Sequence, residues 1–227
     1  MKNIIIVPAK GESKRFPKKN WMKLGEYTLF ELALFRAMKS HLGTVVFAID
    51  SEVMGERVSK RAFIAHHICL LPEEFSNLRA VNSCVYVLEK LREQGLTFDN
   101  IIVTLPTSPL ANESHLQEAY KMFIEEGRNT LASFTKIEGR PTLWSQSDRF
   151  MRPEIFLSSY AKKKEFSVYK DNGAIYISKV DRFLKEQEWF DYWVVPYFMN
   201  EAEGIDVDTP LDYLMAKTIY EAKEMAD

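Results

Sequence analysis

Short unbroken apolar runs alternate along this chain with longer stretches whose apolar residues recur every three or four positions. The runs Ile4–Pro8, Thr44–Ile49, Ile101–Leu105, Thr130–Lys136, Ala174–Ser178 and Val194–Met199 are continuous rather than alternating, as expected of strands covered on both faces. Phe63–Leu71 is a further candidate strand, ended by Pro72. Between them lie predicted helices. Thr28–Ser40 carries an imperfect stripe of Leu29, Leu32, Ala33 and Phe35-Arg36-Ala37, and Ser51 is a candidate N-cap for a helix from Glu52 to about Arg61. Leu78–Glu93 has Val81, Val85, Leu88 and Leu91 on one face, and Asn112–Glu126 is stopped by Gly127. Lys179–Glu186 is a short helix. The last helix opens at Thr209-Pro210, with proline at its first position, and runs to about Met225. Strands alternating with helices predict an α/β fold with a mostly parallel sheet. Ligands of such sheets bind at the carboxyl ends of the strands.

At 227 residues the chain predicts one domain with an elaboration. The elaboration is assigned to residues 138–170, which are irregular, polar and aromatic, with Trp144, Phe150, Phe156, Tyr160 and the Lys162-Lys163-Lys164 run. Thirty basic against thirty-two acidic residues give a net charge of −2, which argues against a nucleic-acid binder. No apolar run suits a membrane span, and the opening Met1–Pro8 reads as a first strand rather than a signal peptide. Cys69 and Cys84 form no CxxC pair and predict two thiols in a reducing cytoplasm. His41, His66, His67 and His115 form no zinc-type pair.

Against that neutral background, four segments carry chemistry, each at the predicted carboxyl end of a strand. Residues 8–23 hold six cations (Lys10, Lys14, Arg15, Lys18, Lys19 and Lys23) and one acid, Glu12. A loop there can aim ammonium groups and backbone N–H groups at one polyanion, and triphosphate suits it. It is neither a GxxxxGK[ST] loop nor a GxGxxG fingerprint. Pro106 and Pro109 stiffen Leu105-Pro-Thr-Ser-Pro-Leu110, which offers the hydroxyls of Thr107 and Ser108. Asn172-Gly173 is a turn signal followed by an apolar strand. Gly204–Asp208 reads as a short strand end, whose extended backbone sends Ile205 and Val207 to the core and turns Asp206 and Asp208 the other way. Two carboxylates so placed suit Mg²⁺, which takes one or two of them and completes its shell with substrate phosphates.

Together these segments resemble the acylneuraminate cytidylyltransferases, the CMP-sialic acid synthetases and their relatives. Their first signature reads about Pro-Ala-Arg-Gly-Gly-Ser-Lys-x-x-Pro-x-Lys-Asn. Here Lys10 replaces the arginine and Glu12 the second glycine, while Ser13, Lys14, Lys19 and Asn20 match. Leu105 stands for a glutamine before Pro-Thr-Ser-Pro-Leu, Ala111 for the arginine after it, and Lys170 for an arginine near Asn-Gly-Ala-Ile-Tyr-Ile. Asp50-Ser51 matches a family aspartate, and Leu71-Pro72 an Arg-Pro. The resemblance implies a Rossmann-like three-layer nucleotidyltransferase fold over 1–227, with an inserted dimerisation lobe at about 138–170 and a homodimer. It implies that Lys10, Gly11, Ser13, Lys14, Lys19, Asn20, Thr107 and Ser108 bind CTP. Leu105, Lys170 and Asn172 would meet the sugar acid, and Asp206 and Asp208 would hold Mg²⁺ or Mn²⁺. Lys10, Lys19, Asp206 and Asp208 would neutralise charge as the acceptor hydroxyl attacks the α-phosphate and pyrophosphate leaves. The resemblance implies a nonulosonic, sialic-type sugar acid as acceptor, with Kdo, a phosphonate or another acid as the alternative. A nucleotide binder without turnover is a further reading.

Overall fold

In the computed structural model, the described residues are 1–60, 67–137, 143–147, 150–155 and 168–225, with backbone alone for the two short segments. The chain forms β1 (Asn3–Ala9), the short pair β2 (Lys23–Leu24) and β3 (Tyr27–Thr28), and α1 (Leu29–Lys39). Next come β4 (Thr44–Ile49), α2 (Glu52–Lys60), β5 (His67–Leu70) and α3 (Ala80–Glu93). Then follow β6 (Asn100–Val103), α4 (Glu113–Glu126), β7 (Thr130–Ile137), β8 (Leu143–Ser147) and β9 (Phe150–Ile155). The chain continues with β10 (Val168–Lys179), α5 (Val180–Glu186), β11 (Val195–Met199) and α6 (Pro210–Glu224). Seven strands form one sheet in the order β11-β7-β10-β6-β1-β4-β5. β1 is parallel to β4 and β6, β4 to β5, and β11 to β7; β10 alone runs against its neighbours β6 and β7.

Every residue of β1 is buried, so the strand is continuous in apolarity because both its faces are covered. Ile5, Val7 and Ala9 face one core with Phe30 of α1, Met54 of α2 and Phe123 of α4. Ile4 and Ile6 face the other, with Leu88 of α3 and Phe183 of α5. Each such buried isoleucine or valine contributes about 1.5–3 kcal/mol relative to exposure. The helices begin where the sequence supplies caps. Thr28 with Glu31, Asn112 with His115 and Thr209 with Asp212 each form a reciprocal capping box. The backbone carbonyl of Ser51 takes the first N–H groups of α2, from Met54 and Gly55. Both cysteines are free and buried.

Several expectations change. Gly204–Asp208 is not a strand: Gly204 N–H closes a turn on Asn200 O at 3.0 Å, Val207 N–H meets Thr107 O at 2.7 Å, and no ladder continues from either. The lobe is not irregular throughout, since β8 and β9 pair antiparallel and β10 begins at Val168. Trp144 and Phe150 lie on β8 and β9, whereas Phe156, Tyr160 and Lys162–Lys164 lie outside the described residues. Of the candidate strand Phe63–Leu71 the described part is β5, and a 3₁₀ turn at Glu73–Asn77 precedes α3.

Candidate functional site

A third, small apolar cluster explains why distant segments meet. Leu24, Leu29, Leu110, Val207 and Ala216 are its buried members, with Phe16, Met22, Ile205 and Tyr213 against them. It joins the basic loop, the Pro-Thr-Ser-Pro turn, the two-aspartate segment and α6. Tyr213 also donates its hydroxyl to Lys23 O at 2.7 Å. In the aspartate segment apolar residues alternate with the acids, and in the other two Phe16, Met22 and Leu110 flank the chemical residues, so packing them presents the polar groups on one rim.

That rim encloses a cleft of about 420 Å³ lined by Lys10, Glu12, Ser13, Lys14, Arg15, Lys19, Asn20, Leu105, Thr107, Asp206 and Asp208. The ammonium-rich loop and the aspartate pair therefore surround one space. Lys19, nearly buried, donates to Asp208 Oδ1 at 2.7 Å and to Val207 O at 3.0 Å, and the exposed Arg15 meets Asp208 Oδ2 at 2.7 Å. Lys10 reaches across to Leu78 O at 2.6 Å; burial holds its ammonium below the ordinary lysine range, with Asp50 opposing the shift and Lys14 adding to it. Asp50 also accepts the Gly11 N–H at 2.6 Å, which pins the loop to the end of β4. A Cβ on Gly11 would come within 2.9 Å of Ser51 Cβ, so only glycine lets the loop lie this close. Gly11 O in turn takes the Trp21 indole N–H at 3.1 Å.

Asp206 is half-buried at the edge of the cleft. Its pKa is raised, chiefly by burial and further by Asp208 and Asp212, against a hydrogen bond from Thr107 and the charge of Lys19. Its Oδ1 is buried without a hydrogen-bond partner, as is Asn20 Oδ1, while Asn20 Nδ2 donates to Lys10 O at 2.8 Å. Buried acceptors left unpaired are costly, and both line the cleft, so each suits a ligand that supplies a cation or donor. No cluster of three metal-type side chains occurs among the described residues. Two carboxylates, one with a free oxygen, fit a divalent ion that draws its remaining ligands from phosphate and water.

Two sequence candidates sit elsewhere. Ser108 is fully buried and donates its hydroxyl to Asn172 O at 3.2 Å. The Asn172 side chain is also buried: it donates to Thr135 Oγ1 and accepts from Ser133 Oγ and the Ala174 N–H. Neither lines the cleft; they brace its floor, because β10 bulges between Asp171 and Tyr176, with Gly173 at φ +71°, and turns this polar segment inward. Lys170 lines a second cleft of about 640 Å³ together with Lys136, Glu201, Met215, Ile219 and Asp206. Asp206 is thus common to both clefts. Sequence reasoning missed Ser76 and Asn77, which line the first cleft from the 3₁₀ turn and carried no motif. It also missed Arg36. Arg79, the arginine nearest Leu71-Pro72 in the described sequence, pairs with Glu188 at 2.8 Å and does not line the cleft. None of His41, His67 and His115 lines the first cleft, and His66 lies outside the described residues.

The fold and this rim define a nucleotidyltransferase. The chain belongs to the cytidylyltransferase family, whose pattern it matches over residues 4–222. It is 24% identical to the CMP-N,N'-diacetyllegionaminic acid synthase of Legionella pneumophila, over 100% of this chain and 99% of that one. It is 27% identical to the pseudaminic acid cytidylyltransferase of Campylobacter jejuni, over 97% of each. It is 26% identical to the N-acylneuraminate cytidylyltransferase of Escherichia coli, over 98% of this chain and 53% of that longer one. Among solved structures it superposes on a CMP:2-keto-3-deoxy-manno-octonic acid synthetase complexed with CTP, with a TM-score of 0.73, 15% identity and coverage of 97% and 100%. A 4-diphosphocytidyl-2C-methyl-D-erythritol synthase follows the same fold at a TM-score of 0.63 and 11% identity, over 96% and 98%.

Proposed function

We propose that this enzyme transfers CMP from CTP to a nonulosonic sugar acid, releasing pyrophosphate. The carrying observation is the shared rim: cationic loop, aspartate pair and two unpaired buried oxygens around one cleft. Lys10, Lys14 and Lys19 would hold the β- and γ-phosphates, and Asn20 and Thr107 the rest of the nucleotide. Lys19 and Arg15 both pair with Asp208 at 2.7 Å; the exposed Arg15 can turn to phosphate, while Lys19 is held at the edge of the cleft. Asp206 and Asp208 would hold Mg²⁺, which when bound neutralises triphosphate charge and acidifies the acceptor hydroxyl. The acceptor would occupy the second cleft, its carboxylate against Lys170 and its hydroxyl toward Asp206, so that it meets the nucleotide at the residue both clefts share. Ser108 and Asn172 serve as braces rather than contacts. A homodimer is in keeping with the exposed, mutually packed Tyr169 and Phe198 on the sheet (4.7 Å between ring centroids), and a cytoplasmic setting with the free thiols.

A thermal-shift series with Mg²⁺ tests the nucleotide: CTP should raise Tm far more than ATP, GTP or UTP, and equal shifts would refute the cytidine assignment. Pyrophosphate release across a panel of nonulosonic acids, Kdo and phosphonates then tests the acceptor. Turnover confined to the last two would remove the nonulosonate.

A further inference from the structure

Arg36 lies in the last turn of α1 and is 2% exposed, yet among the described residues no carboxylate pairs with it. Its guanidinium is spent on one segment and one hydroxyl. Nε donates to Thr104 Oγ1 at 2.7 Å, Nη1 to Ser108 O at 2.5 Å and to Ala111 O at 3.3 Å, and Nη2 to Leu105 O. A buried cation without a counter-charge is expensive, and burial alone pushes its pKa down to about 9. The planar fork is the side chain that can satisfy several divergent carbonyls at once. These carbonyls flank Thr107 on both sides. Thr107 in turn meets the aspartate segment: its carbonyl takes the Val207 N–H at 2.7 Å, and its side chain lines the cleft beside Asp206 and holds that carboxyl's pKa down.

We propose that Arg36 is a positioning residue for the Asp206 carboxylate: it clamps the Leu105–Ala111 turn from beneath so that Thr107 holds Asp206 at the shared edge of the two clefts. The inference rests on the reading of Asp206 as a metal ligand with CTP. Arg36 touches neither nucleotide nor ion; it fixes the group that fixes the ligand, and losing such an outer support typically costs roughly 10–100-fold in metal affinity.

The test reads Mn²⁺ binding with CTP from the loss of the free-ion EPR signal, alongside melting curves. Arg36→Lys keeps a cation but not the fork, and is expected to weaken Mn²⁺ binding roughly 10–100-fold while still folding. Thr107→Val should weaken it similarly, and the double variant should be no worse than Thr107→Val alone, because both act through one hydroxyl. Additive losses, or wild-type Mn²⁺ affinity in Arg36→Lys, would overturn the inference. If Arg36→Lys does not fold, ¹⁵N-arginine spectra of the wild type decide. The Arg36 Nε–H should exchange far more slowly than those of exposed arginines, and shift when Thr107→Val is introduced. Fast exchange or an unmoved signal refutes the clamp. If the wild type itself binds no Mn²⁺ with CTP, the metal reading of the site has failed instead.

Discussion

Asp206 is held partly out of water beside a second carboxylate, and its raised pKa is a statement about stability as well as chemistry. In the unfolded chain it ionises near 3.8, and in the folded chain at higher pH. The folded form therefore binds more protons between those values, so stability falls as pH rises through that window, and the full deficit remains at neutral pH. Asp206→Asn removes that cost while keeping an acceptor for Thr107. Its Tm without ligand should exceed the wild type's at pH 7, and the difference should vanish as pH falls toward 4. Its turnover should drop by roughly 10²-fold or more, as expected when a group stabilising developing charge is lost. Melting at several pH values together with pyrophosphate release checks both halves, and a variant less stable at pH 7 refutes the argument.

Among the connecting segments, the one that delivers the aspartates has the least tolerance. A Cβ on Gly204 would lie 2.0 Å from Thr135 Oγ1 and 2.8 Å from Asn172 Nδ2. Gly204→Ala must push apart the hydrogen bond between those two, and should cost about 2–3 kcal/mol in a denaturant titration, near the upper end for overpacking. The small third cluster makes a sharper distinction. Val207→Ala should lose about 2 kcal/mol and weaken CTP binding with it, since Val207 is the buried peg between two cleft aspartates. Leu91→Ala, in the α3 core, should lose stability and leave CTP affinity unchanged; calorimetric titration of both variants checks the contrast. Elements of this kind divide in legibility. The buried strands and capped helices stand out in sequence because their patterns are local: β4 falls on the very run Thr44–Ile49, and Thr209-Pro210 opens α6. Gly204–Asp208 reads falsely as a strand, because its in-out alternation comes from packing against Phe16, Leu110 and Ala216 rather than from sheet pairing.

For the molecule as a whole, one aspartate serves two chambers, so nucleotide and acceptor can be perturbed separately. Lys170→Gln should raise the KM for the sugar acid roughly tenfold, the scale of one lost charge-assisted contact, and leave the CTP thermal shift intact; a matching loss for CTP would argue that the chambers are not distinct. The meeting of a cationic loop near one end of the chain with an acidic pair near the other was legible because each motif kept its residue types. Arg36 was not, since a lone arginine in a helix reads as solvated surface until its neighbours in space are known. Ser108 and Asn172 show the opposite case: polar residues in a motif read as ligand contacts, and here the Ser108 hydroxyl is spent on the Asn172 carbonyl and the Asn172 side chain on Thr135, Ser133 and Ala174.

The cluster that latches Phe16 and Met22 draws Tyr213, Ala216 and Ile219 from α6. The seven-stranded sheet takes its last strand from Val195–Met199, whereas the seat of the basic loop also needs α6 as far as Ile219. A chain cut between those points can pair every strand and still leave Phe16 and Met22 without the surface they pack on.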